Sequence, residues 1–173
     1  MRLRSLPWIL GIAGFVAGAF LLLGQGGQKR FRAVLTGYGE VPVVSTPATG
    51  EFHAVVSGGD SSLSYELTYS NLQGGSPLFA HVHVGQNGVN GGIAFFLCGG
   101  GGKPACPGPT SGSVSGTVVP ADVIGPNGQG ISAGEFAEVV HAMRSGVAYA
   151  NVHTPSHMSG EIRAQISDAA SEK

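Results

Sequence analysis

Between positions 63 and 70 apolar and polar residues alternate without a break: Leu63, Tyr65, Leu67 and Tyr69 take turns with Ser64, Glu66, Thr68 and Ser70. A period of two places successive side chains on opposite faces of an extended chain, so this stretch predicts a half-buried strand. Similar short apolar runs between turns predict strands at 31–35, 51–56, 78–84, 93–97, 114–119, 147–153 and 161–166. Between them, Gly58-Gly59-Asp60 and the glycine- and asparagine-rich run 85–92 read as turns, and 38–49 as an irregular crossing with two prolines. One segment keeps a different period. Phe136, Val139, Val140 and Met143 fall on one helical face, behind a Ser132-x-x-Glu135 capping pattern and ahead of Gly146 as a stop. Many short strands and one short helix predict an all-β fold, an antiparallel β-sandwich or Greek-key barrel.

Composition narrows the setting. Charged residues are 11% of the 173, against about 25% in an average soluble domain, and the net charge is −1. Nothing in that balance offers an electrostatic hold on nucleic acid. Part of the apolar excess sits in residues 6–24, an uncharged run flanked by Arg2 and Arg4 before it and Lys29, Arg30 and Arg32 after it. As a helix it spans roughly 28 Å, close to the hydrocarbon thickness of a bilayer. The Ala-x-Ala of this N-terminal region, Ala17 and Ala19, lies inside the run, which favours an uncleaved transmembrane signal anchor over a removed signal peptide. The expected organisation is therefore an anchor and linker at 1–28, a domain at 29–167 and a polar tail at 168–173. That domain is expected on the extracytoplasmic side, periplasmic or extracellular, with secretion after cleavage as the alternative. The partners expected are the membrane, through the N-terminal helix, and a protein of the membrane or envelope.

Cys98 and Cys106, the only cysteines, flank seven residues rich in glycine and proline. In an exported chain this pattern predicts a disulfide. A metal half-site is the rival, but no C-x-x-C pair and no further cysteine support it.

Four stretches, "FRAVLTGYGEVPVVSTPATGEF", "LSYELTYSNLQG", "AHVHVGQNGVNGGI" and "GVAYANVHTPSHMSGEIRAQI", resemble in order and spacing the CHRD (chordin) domain, as a single-domain microbial-type member. The likeness covers residues 31–166 and implies a β-sandwich or barrel. Departures are confined to single positions, such as Val43 after Glu40-Val41-Pro42, and Gly92 after Asn90-Gly91. Animal chordins carry several such domains and antagonise extracellular growth factors, a role that rests on other domains as well.

Candidate chemistry is concentrated in histidines. On a strand, Phe79, His81 and His83 share one face, and so do Tyr149, Asn151 and His153. The opposite faces, Ala80, Val82 and Val84, and Ala148, Ala150 and Val152, suit a core. If the two strands are neighbours, His81, His83 and His153 converge on the outer side, with His157 close by in the following loop. Such a set, open to solvent, suits Cu²⁺ or Zn²⁺, and its affinity is expected to weaken below the ordinary histidine range near ~6.5. His53, beside Glu51, and His141, on the polar side of the helix, are expected to be solvated. Glu161 and Arg163 share a strand face; Arg163 is expected to pair with Glu161 or Glu40 in a structural role. No catalytic triad, carboxylate pair or phosphate loop stands at usable spacing. The leading expectation is a tethered binding module for a protein or metal ligand, without turnover. The alternative is a copper- or zinc-dependent redox enzyme of superoxide dismutase-like type, although no second histidine- and aspartate-rich zinc loop accompanies the His-x-His pair.

Overall fold

The computed structural model describes residues 29–169. The expected N-terminal anchor lies outside them, and no helix of the described residues is long and apolar enough to cross a membrane. Nine strands form: β1 (Lys29–Thr36), β2 (Thr49–Val56), β3 (Leu63–Ser70), β4 (Phe79–Val84), β5 (Gly92–Cys98), β6 (Gly112–Val118), β7 (Ala148–Thr154), β8 (His157–Gln165) and β9 (Ser167–Asp168). The helix α1 spans Phe136–Arg144. β9 carries strand pairing into the expected tail, with Phe31 opposite Asp168 and Arg32 opposite Ser167.

All pairings are antiparallel, and they join into one sheet in the order β5-β4-β7-β8-β1-β2-β3-β6. The sheet curls until its end strands β5 and β6 touch, giving a nearly closed barrel. The all-β, antiparallel expectation holds; two facing sheets do not form, because one continuous sheet wraps its own core. Inside lie Phe31, Ala33 and Leu35 of β1, Phe52 and Ala54 of β2, Leu63 and Leu67 of β3, Val82 of β4, and Ile162 of β8. Helix α1 adds Phe136, Val139, Val140 and Met143, the face its spacing predicted.

The seam between β5 and β6 is closed by other means than a ladder. The Tyr65 hydroxyl, reaching from β3, donates to the Leu97 carbonyl at 2.6 Å. The Ile124 amide donates to the Ala94 carbonyl, and Gln129 Oε1 accepts from the Gly92 amide. These bonds satisfy backbone groups that an open edge would offer to another chain. Cys98 and Cys106 form a disulfide that ties the end of β5 to the loop leading to β6.

Helix α1 starts three residues later than the capping pattern implies. Glu135 does reach back to the Ser132 amide, at 2.6 Å, but the helix begins at Phe136 with Glu135 itself as the cap. Its end follows the expected course: Gly146 takes φ +68°, its amide bonds Met143 O, and the Val147 amide bonds Ala142 O. That pair of bonds is a Schellman stop.

Candidate metal centre

β4 and β7 are direct neighbours, in a register that sets Phe79 against His153, His81 against Asn151 and His83 against Tyr149. β5 lies on the far side of β4 and places Phe96 opposite His81, while β8 places Arg163 opposite Asn151. The barrel's outer face therefore carries a row Phe96, His81, Asn151, Arg163, with His83 and Tyr149 on one side and Phe79 and His153 on the other. The sequence placed this face in solvent. It is buried instead: His81, His83 and His153 are 3%, 8% and 5% exposed. Two neighbouring rings explain much of the change. Phe79 stacks on His81 at 5.5 Å and lies 5.1 Å from His153, and Phe96 meets His81 edge-on at 5.0 Å.

One ring nitrogen from each histidine lies within 4.8 Å of the other two. Three atoms so placed lie within about 2.8 Å of a common point, against the ~2.0–2.1 Å of a Zn–N bond, so the rings must draw together by some tenths of an ångström to share an ion. Hydrogen bonds decide which nitrogens face it. His83 Nδ1 donates to the Gly91 carbonyl at 2.9 Å, and His153 Nδ1 donates to the Met158 carbonyl at 2.9 Å. Each ring is thereby fixed with its lone pair on Nε2, the orientation that carbonyl partners impose on metal-ligating imidazoles. The His83 Nε2 lone pair points at His81 Nδ1, 2.8 Å away, and Asn151 Oδ1 stands 3.1 Å from that same nitrogen. His153 Nε2 is buried and has no partner. A metal ion held here would replace the proton between His81 and His83 and engage the orphaned Nε2 of His153.

The electrostatics favour neutral rings. Desolvation, joined by His153 and His83, holds His81 down to about 3. Desolvation also lowers His83, to about 4, with its bond to Gly91 opposing the shift and Arg163 among the lesser causes that reinforce it. Burial lowers His153 too. Protons therefore compete for His81 and His83 well below the pH near 6.5 that the sequence suggested.

His157 does not join this group; it pairs with Thr154 in the hairpin between β7 and β8. His53 is exposed and bonds Glu51 at 3.3 Å, and His141 is exposed on α1. Arg163 packs its guanidinium 3.4 Å from the centre of the Tyr149 ring and donates to Asn90 Oδ1 and Val89 O. Its side chain thus turns to the 85–91 loop rather than to Glu161. Glu161 instead accepts bonds from Thr46, Thr154 and the amides of Gln73 and Gly74, fixing two loops to β8. Glu40 is buried, with Oε1 unpartnered; desolvation raises it to about 7 against the pull of Arg163. Sequence reasoning missed Phe96 and the Gly91 and Met158 carbonyls. Phe96 was open to the period-two argument, since it alternates with the core residues Phe95 and Leu97, but backbone carbonyls leave no trace in side-chain patterns.

Among the described residues no second group of histidine, cysteine, aspartate and glutamate is arranged to share an ion. Among known families, a model described as the CHRD domain matches residues 31–166. No curated protein and no solved structure matches the chain.

Proposed function

This chain belongs to the CHRD domain family, and on that premise we propose that it is an exported, membrane-tethered binding module holding one Cu or Zn ion through His81, His83 and His153, without turnover. The observation that carries the metal reading is the buried, unpartnered Nε2 of His153, on a ring with a nitrogen within 4.8 Å of one on each of two histidines that themselves stand 2.8 Å apart, nitrogen to nitrogen. A buried polar atom without a partner costs on the order of 1–3 kcal/mol, and an ion removes that cost. Tethering is supported by the apolar run 6–24, and export by the Cys98–Cys106 disulfide. A protein partner in the envelope remains compatible with the module, since the histidine site occupies only one side of the barrel.

Titration of the purified chain with zinc or copper(II), followed by calorimetry, tests the site. One ion per chain is expected. His81→Ala should weaken binding on the order of 100-fold or more, and His141→Ala should change nothing. Equal binding by wild type and His81→Ala, or no binding at all, would remove the metal reading. For the tether, the intact mass of protein from the membrane fraction should include residues 6–24. A chain beginning near Phe20 or Gln25 would show cleavage and secretion.

A further inference from the structure

We propose that the three-histidine site selects monovalent copper over divalent zinc. This deepens the metal reading above and rests on it. The donors are three neutral imidazoles, and the group that converges includes no carboxylate and no thiolate. The Arg163 guanidinium is a fixed cation that acts on His83, and the buried Glu40 carboxyl, itself drawn to Arg163, offsets only part of that charge. Tyr149 stacks on His83 at 4.6 Å and carries the Arg163 guanidinium over its ring at 3.4 Å. Arg163 in turn bonds neutral acceptors, Asn90 Oδ1 and Val89 O.

Charge then decides between the ions. The cost of moving an ion out of water grows with the square of its charge, and repulsion from a fixed cation grows linearly. A dication in this position meets roughly four times the desolvation cost and twice the repulsion of a monocation, with no anionic ligand to offset either. Coordination number points the same way. Zinc takes four donors, the fourth often a water, whereas copper(I) is satisfied by three nitrogens in a plane. Two aromatic rings stand beside the three histidines, Phe79 with its centre 5.1 Å from that of His153 and Phe96 with its centre 5.0 Å from that of His81. Aromatic rings border a weakly hydrated monocation at less cost than they border a bound water.

The test is an anaerobic competition of the folded chain against bicinchoninate for copper(I), run beside a zinc competition with a chromogenic chelator. One copper(I) per chain is expected, with a dissociation constant on the order of 100-fold below that for zinc. Zinc bound as tightly as copper(I), or more tightly, with His81→Ala abolishing it, would overturn the selectivity and leave the metal site standing. Failure of both ions to bind would overturn the site and the selectivity together. A second variant keeps the electrostatic argument separately exposed. Phe79→Asp adds a carboxylate beside His81 and His153 and should narrow the copper-to-zinc ratio; an unchanged ratio would contradict the role given to charge.

Discussion

Glu40 and the histidines His81, His83 and His153 are buried groups that respond to acid in opposite directions. Unfolded histidines take up protons as pH falls through about 6.5, but His81 and His83 in the fold resist until about 3 and 4. Their contribution to stability is present above 6.5 and is lost on acidification toward those values. Glu40 runs the other way. Its folded value of about 7 lies above the ordinary 4.5, so its contribution is complete below 4.5 and is lost as pH rises through 7. Each unmatched proton gives a slope approaching about 1.4 kcal/mol per pH unit. Because the histidines outnumber Glu40, stability should fall between pH 6.5 and 4.5. Glu40→Gln removes the opposing contribution and should steepen that fall, as read by urea unfolding across the range. A flatter dependence in Glu40→Gln would contradict the assignment. Gly160 fits the same picture: its φ is +127°, and a Cβ there would run into the Glu40 carboxylate, so only glycine leaves room for that buried acid.

At the scale of elements, the strands with one wet face were the most legible. β3 alternates buried and less buried positions along its whole length, and β1 and β2 do nearly the same, as their period-two patterns require. β4 and β7 defeat that reading in part. Every position of β7 is buried, as is all of β4 after Phe79, because the outer face is packed under partners distant in sequence. Phe96 comes from β5 and Arg163 from β8, and alternation within β4 carries no information about either. The adjacency of β4 and β7, which the sequence leaves as a condition for the histidines to converge, is met by their ladder. Whether strands belong to one curled sheet or two facing ones is a long-range property, fixed here by the β8–β1 pairing and the seam bonds of β5. The capping pattern at Ser132 shows the local limit. Its glutamate makes the expected bond, yet Gly134, at φ +88°, delays the helix until Phe136.

For the molecule as a whole, the account joins a barrel closed around an apolar interior to a second, smaller buried layer on the outside of β5, β4, β7 and β8. The first layer is ordinary hydrophobic burial. The second is polar, and the unpartnered buried atoms His153 Nε2, Glu40 Oε1 and Gln165 Oε1 are what the hydrophobic effect alone does not explain. A bound ion would account for the first of them. Anomalous diffraction from crystals of the chain loaded with copper, collected on both sides of the copper absorption edge, tests this most directly. The account predicts one strong peak per chain about 2 Å from His81 Nδ1, His83 Nε2 and His153 Nε2. A peak at exposed His53 or His141 instead, or none at the three histidines, would contradict it.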